Sequence, residues 1–418
     1  MKILLLNITG RFGSTGKIIN DLRDYLILHG HEVVVAYGHP DYIDEPGFVQ
    51  VDHPIEAKVV SQFTKLGRSQ YKGNPLALGR IKNIVEEFKP DVVHIHCING
   101  MFANIYKLFG FLSTMHIKTI ITHHAEFFYT GSCGYAFDCI KFSEKQCVGC
   151  NNKIKATGNR IFANPHKSWL MMYEAVHSFA KEDLYFTAVS PWVDGRSQLS
   201  PIVNQYPHHV VMNGIDTSIY TRKKNIGLFR KEVAKRFGLN PAGRIVLHVS
   251  HEFSGHDTTG IKGGGYITSL AKSLPEIDFI VVASVLTDTD NLPENLHIWG
   301  STENRNELAN LYSTSDITVI ASKAETFSMI VAESLCCGTP IAGFYAGGPE
   351  SIAMSEYSRF VGHGDLNALK QSIVELLSKS FNRQEISNKA NFLYSKERMA
   401  EDYLNIYNRM LYSTNTDS

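Results

Sequence analysis

The 418-residue sequence has no excess of either charge, with 41 Lys and Arg against 41 Asp and Glu. It therefore lacks the basic surplus that draws a protein onto a nucleic-acid backbone, and no nucleic-acid partner is expected. It also lacks any apolar run approaching the ~20 residues that span a bilayer. The opening run Met1–Ile8 is broken by Asn7 and a Thr9-Gly10 turn. It is too short for the apolar part of a secretory signal, and no cleavage site follows. A cytoplasmic location is expected. In that reducing compartment the seven cysteines read as thiols or metal ligands more readily than as disulfides. No internal repeat is recognisable, which argues against a solenoid.

What is present describes a globular protein: 44% hydrophobic and 20% charged residues, in a chain long enough for two cores. Residues 1–212 carry 21 basic and 18 acidic side chains, and residues 213–418 carry 20 and 23. That tilt permits weak attraction of the first half to anionic lipid, a peripheral contact with the inner membrane.

Short apolar runs alternate with helical periodicity along both halves. Strands are predicted at Ile3–Ile8, Glu32–Tyr37, Asp91–His96 and Ile117–Thr122, with helices at Lys17–Leu28 and Leu76–Phe88. After Asn213-Gly214, a turn by its own chemistry, strands are predicted at Ile245–Ser250, Phe279–Ala283, His297–Trp299, Ile317–Ala321 and Ile341–Phe344. Helices are predicted at Tyr266–Ser273, Glu307–Ser313, Thr326–Cys337, Leu366–Leu377, Arg383–Tyr394 and Glu397–Leu411. Such alternation is the pattern of an α/β fold built on doubly wound parallel sheets.

Function is most legible between Lys323 and Ile352. A strand runs into a loop holding Glu325, a helix carries Glu333 eight residues later, and Gly338-Thr-Pro340 ends it before a Gly347-Gly-Pro-Glu350 turn. A strand-loop-helix of this kind aims free N–H groups and the positive end of a helix dipole at one spot, which suits a phosphate. Each carboxylate accepts from vicinal hydroxyls, so one is able to face a sugar and the other a ribose. The bland reading is a buried βαβ unit whose glutamates face solvent.

This stretch resembles the E-x7-E signature of family 4 of the retaining nucleotide-sugar glycosyltransferases, through the ESLCCGTPI…GGPE continuation. The resemblance implies the GT-B architecture, two Rossmann-like domains facing a cleft. It places an N-terminal acceptor domain at 1–212, a donor domain at 213–395, and a C-terminal helix within 396–418 that crosses back to the first domain. It implies that Glu325 binds the donor hexose and Glu333 the ribose. Lys262, in a glycine-rich loop, and the helix start at Phe327-Ser328 would hold the diphosphate.

Lys262 precedes Gly263-Gly-Gly265, where a cation neutralises the charge that builds on a diphosphate leaving group. The family arginine expected earlier is replaced near His251. His124, in Thr122-His-His-Ala-Glu126, aligns with the family histidine, and Ala125 stands where the family has Asp. Gly16 closes a Gly10-x2-Gly13-x2-Gly16 turn that lets backbone approach a ligand.

Cys133, Cys139, Cys147 and Cys150 lie within eighteen residues of a segment, 130–152, that resembles an insert found in some bacterial members. They read as a structural zinc site, with free thiols or opportunistic disulfides as the alternatives. No Asp-x-Asp metal motif is evident, so no catalytic metal is expected.

The resulting expectation is a glycosyltransferase moving a sugar from a nucleotide diphosphate sugar to a glycan or lipid-linked glycan in bacterial surface polysaccharide synthesis. The rival is a catalytically inactive GT-B binding or scaffold subunit, supported by Ala125 and the missing arginine. A GT-B epimerase or phosphorylase fits the glycine-proline-glutamate pattern less well.

Overall fold

The computed structural model describes residues 1–38, 40, 42–65, 73–98, 102–152 and 164–412. The chain forms two compact units, one of residues 1–212 with those from Met399 onward, the other Asn213–Arg398.

The first unit runs β1 (Lys2–Asn7), α1 (Gly13–Leu28), β2 (Glu32–Tyr37), β3 (Phe48–Gln50), α2 (Pro54–Lys65), α3 (Pro75–Phe88), β4 (Val92–Ile95) and α4 (Ile105–Thr114). It continues through β5 (Lys118–His123), α5 (Phe127–Thr130), α6 (Pro165–Val176), β6 (Leu184–Ala188), α7 (Pro191–Gln198) and β7 (His208–Val210). The seven strands stand in the order β3-β2-β1-β4-β5-β6-β7, all in parallel pairs. Ile3–Leu6 are fully buried, as befits a strand covered by helices on both faces.

The second unit contains α8 (Ile226–Phe237), β8 (Arg244–Ser254), α9 (Gly264–Ser273), β9 (Ile277–Thr287), β10 (Leu296–Gly300), α10 (Arg305–Thr314) and β11 (Ile317–Ile320). Then come α11 (Met329–Cys336), β12 (Ile341–Phe344), α12 (Gly348–Ile352), β13 (Ser358–Val361), α13 (Leu366–Ser378) and α14 (Arg383–Tyr394). Its six strands are ordered β10-β9-β8-β11-β12-β13, again all parallel. In such sheets the chain leaves in opposite directions at one point, and a crevice opens there beyond the strands' carboxyl ends. The order reverses between β1 and β4 in one unit and between β8 and β11 in the other.

The final helix α15 (Lys396–Tyr412) adds Met399, Tyr403, Ile406, Tyr407 and Met410 to the core that contains Ile3, Leu5, Leu26 and Val35. Those positions form one helical stripe. The remainder of the 396–418 segment, past Tyr412, lies outside the described residues.

Several boundaries differ from the sequence expectation. β8 and β9 run past Ser250 and Ala283 because they keep pairing with each other, through Ser254↔Thr287. The apolar pattern stops there, but the ladder does not. α1 starts at Gly13 rather than Lys17, and α11 at Met329 rather than Thr326.

Candidate functional site

In the second unit, the two loops at the reversal of strand order meet. The loop after β8 carries Lys262 and the loop after β11 carries Glu325; Lys262 Nζ donates to Glu325 Oε1 at 2.6 Å. The Glu325 backbone is fixed by its neighbour strand's loop. Its N–H donates to the Ala346 carbonyl at 3.0 Å, and its own carbonyl accepts from Gly348 N–H at 2.8 Å. A Cβ on Gly348 would stand 2.4 Å from the Thr326 carbonyl carbon, so only glycine permits this closure. The Glu350 carboxylate accepts from the N–H groups of Ala346 at 3.0 Å and Gly347 at 2.8 Å. Half of the Gly-Gly-Pro-Glu element thus builds the loop that aims Glu325.

Ser328 caps α11 with φ at 78°, a left-handed conformation that costs a serine on the order of 1 kcal/mol or more. Its side chain and that of Phe327 are buried, so these two residues offer backbone, not side chains, at the helix start. The earliest N–H groups of such a turn lack a carbonyl four residues back, while that of Val331 donates to the Ser328 carbonyl at 3.1 Å. Glu333, half-buried in the second turn of α11, accepts from the Tyr312 hydroxyl at 3.0 Å.

His251, which stands near the expected arginine, is exposed on the projecting end of β8. The sequence does contain an Asp-x-Asp, Asp288-Thr289-Asp290, just after β9. Asp288 Oδ2 accepts from Ser254 Oγ at 3.1 Å, and His256 Nε2 lies 2.9 Å from the Asp290 carbonyl. This tripeptide braces the glycine-rich loop, a correction to the view that no such motif occurs.

In the first unit, Gly16 lies inside α1 rather than in the preceding turn, and a Cβ there would meet the Arg11 carbonyl carbon at 2.8 Å. Its contribution is close packing of the loop, while Gly13, Ser14 and Thr15 form the first turn, where N–H groups lack a carbonyl four residues back. Asn7 holds that turn: its Nδ2 donates to the Thr9 carbonyl at 2.8 Å, and its Oδ1 accepts from Cys97 N–H at 3.0 Å.

His124 Nε2 lies 3.0 Å from His96 Nδ1. His94 joins the row, its ring 3.9 Å from that of His96. Its nitrogens lie 2.7 Å from Tyr407 Oη and 2.7 Å from Thr122 Oγ1. Burial pushes His124 down to about 4 and His94 and His96 well below the usual histidine value. At neutral pH all three are uncharged, so His124 is a hydrogen-bonding imidazole and not a cation. His94 in β4 and His96 just past its end are two residues apart in extended chain, which puts both on one face, a signal the sequence analysis left unused.

Glu126, the residue after Ala125, is taken up by contacts within the first unit. It is fully buried, with Oε1 accepting from Tyr129 Oη and Arg196 Nε, each at 2.8 Å. It anchors the cysteine-rich segment, whose Phe142 carbonyl also accepts from Trp169 Nε1 at 2.8 Å.

The four cysteines of that segment are free thiols. Burial pushes Cys133 and Cys147 up to about 12, and the charges of the other cysteines add to the shift. The thiols are therefore neighbours. Among the described residues, however, no three or more His, Cys, Asp or Glu side chains are grouped so as to hold a metal ion. The donor chemistry suits zinc, while the sulfurs are not closed around one point.

Residues 15–219 match the family described as Glycosyltransferase Family 4, and residues 283–391 match Glycosyl transferases group 1. The chain belongs to the family 4 glycosyltransferases. N-acetyl-alpha-D-glucosaminyl L-malate synthase of Bacillus anthracis is 22% identical over 222 residues, covering 50% of this chain and 54% of that protein. The chain thus spans about half the length of the curated relatives it matches.

Among solved structures, sucrose-phosphate synthase from Thermosynechococcus elongatus superposes with a TM-score of 0.65 at 14% identity, over 99% of this chain and 100% of that one. Anabaena HepE in complex with UDP-glucose gives 0.62 at 13%, over 97% and 99%. The fold is GT-B. Among the described residues no helix is long and apolar enough to cross a membrane.

Proposed function

We propose that the protein transfers a sugar, with retention at the anomeric carbon, from a nucleotide diphosphate sugar to a glycan or lipid-linked glycan of a bacterial surface polysaccharide. The observation that carries this reading is the 2.6 Å pair of Lys262 and Glu325 beside the start of α11. A cation, a carboxylate and a row of helix N–H groups there suit a diphosphate next to a hydroxyl-bearing ring. HepE, of the same fold, is described in complex with UDP-glucose, which supports a nucleotide-sugar donor. The acceptor class and a peripheral contact with the cytoplasmic face of the membrane rest on the sequence resemblance.

Lys262 would leave Glu325 for the diphosphate as negative charge develops there, stabilising the leaving group. Glu325 would accept from the donor hexose hydroxyls, and Glu333 from the ribose. Phe327 and Ser328 would present backbone N–H groups to the phosphates. In the first unit the neutral His124 would hydrogen-bond a sugar hydroxyl, and the turn packed by Gly16 would approach the ligand closely. No carboxylate is assigned as a nucleophile. Same-face transfer, with the leaving phosphate taking the acceptor proton, asks the protein chiefly for positioning and charge stabilisation.

The four cysteines we assign to a structural zinc that stiffens the 130–152 segment, with no part in the chemistry.

The experiment is incubation with a panel of nucleotide sugars and candidate acceptors, read by mass spectrometry, with donor hydrolysis followed when acceptor is omitted. Consumption of one donor by the wild type and not by Glu325→Gln supports the reading. No consumption of any donor, with tight nucleotide binding retained, would point to the inactive binding subunit instead.

A further inference from the structure

Glu333 is held by one buried phenol, which a second phenol from a separate element backs. Tyr312, on α10, donates its hydroxyl to Glu333 Oε2 at 3.0 Å. Tyr220, in the turn after Asp216, packs against Tyr312, and the Glu333 charge raises its pKa. The two rings meet edge to face, 6.4 Å apart at 63°, and both side chains are buried.

Each phenol is itself held. Tyr220 N–H donates to the Asp216 carbonyl at 2.9 Å, and Asp216 Oδ2 accepts from Lys396 Nζ at 3.3 Å. The Tyr312 carbonyl accepts from Thr339 Oγ1 at 2.6 Å, just past the end of α11. Burial first, and then the Glu333 charge, holds both phenols far above their ordinary pKa. They therefore remain O–H donors throughout the working pH range.

A glutamate on a helix surface has three rotatable bonds and loses their freedom when it binds a ligand. A carboxylate already held by a donor that is itself packed in place has its orientation restrained, and the lone pairs left over point in set directions. We propose that Tyr220 and Tyr312 are positioning residues that orient the Glu333 carboxylate toward the ribose hydroxyls and so set the preference for ribonucleotide over 2′-deoxyribonucleotide donors. The inference rests on the assignment of Glu333 to the ribose under the proposed function. A site built to hydrogen-bond a hydroxyl rejects the analogue that lacks it, because the acceptor is then left without its partner. A carboxylate free to turn toward water gives up that discrimination.

The test is calorimetric binding of UDP, GDP and ADP and of their 2′-deoxy forms to the wild type, Tyr220→Phe, Tyr312→Phe and Glu333→Gln. For the base that binds, the wild type should prefer the ribo form by about tenfold, the worth of one charge-assisted hydrogen bond. Each Phe variant should reduce that preference to below about threefold by weakening the ribo form alone. Glu333→Gln should bring it near unity.

A merely structural role for the tyrosines would weaken both forms alike and leave the ratio unchanged, which overturns the proposal. If Glu333→Gln abolishes the preference and both Phe variants keep it, the ribose assignment stands and the positioning role falls. If Glu333→Gln also keeps it, the ribose assignment fails, and this inference with it. Should Tyr312→Phe prove unstable, Tyr220→Phe alone decides, since its residue lies in a turn outside the sheet's helices.

Discussion

Arg196 Nε lies 2.8 Å from Glu126 Oε1, and the carboxylate is 1% exposed. This pair joins α7 to the residues just after β5, and Arg196 also donates to the Cys139 carbonyl at 3.2 Å. One guanidinium therefore ties the cysteine-rich segment to the sheet. Removing one partner of a buried pair strands the other's charge, which costs more than the pair itself contributes. Arg196→Met should lower the unfolding free energy by about 3 kcal/mol and speed proteolysis within residues 130–152. Urea titration giving wild-type stability would show that Glu126 finds another partner.

Glu325→Gln keeps shape and removes charge. It should cut transfer by at least about tenfold, the ~1.4 kcal/mol of one charge-assisted hydrogen bond, with the melting temperature little changed. Lys262→Ala should weaken binding of a nucleoside diphosphate far more than binding of the free nucleoside, because only the former carries the charge being neutralised. Equal losses for both ligands in calorimetry would remove Lys262 from the diphosphate.

The two parallel sheets were legible because β1, β2 and β4 are apolar runs without alternation, and the E-x7-E stretch carried its own register. What escaped was of two kinds. β3, β7 and β13 are only three or four residues long and rely on ladder pairing with the neighbouring strand, which periodicity does not reveal. The partners Tyr312 and His96 reach Glu333 and His124 across gaps of 21 and 28 residues, and no local pattern announces a contact made by tertiary folding. Glu350 was visible as part of a motif, but its bonds to Ala346 and Gly347 depend on a turn geometry that spacing alone leaves open.

Burial pushes His124 and His248 down to about 4, and it holds His94, His96 and His123 well below the usual value. An unfolded histidine titrates near 6.5. Between about pH 6.5 and 4 the unfolded chain therefore binds more protons than the native one. The stability these residues contribute is full above pH 6.5 and is lost as pH falls toward 4, by up to about 3 kcal/mol for each of the two at about 4. Melting temperature should drop steeply over that window, and His248→Gln should flatten part of the drop. A melting temperature constant from pH 7 to pH 4.5 would contradict the burial of these rings as neutral groups.

Protein purified under reducing conditions should carry about one zinc per chain, held by Cys133, Cys139, Cys147 and Cys150. A thiol pushed up to about 12 by burial is a poor ligand until a metal displaces its proton, so binding should release protons and strengthen as pH rises. Closing four sulfurs around one ion would also draw the segment tighter than the free thiols hold it. Chelation should consequently raise hydrogen exchange across residues 130–152 before the rest of the first unit loosens. Donor hydrolysis by the chelated protein should persist, because Lys262 and Glu325 belong to the other unit. Elemental analysis is the deciding measurement. Neither zinc nor iron above background, in protein never exposed to chelator, would leave the four cysteines as plain thiols.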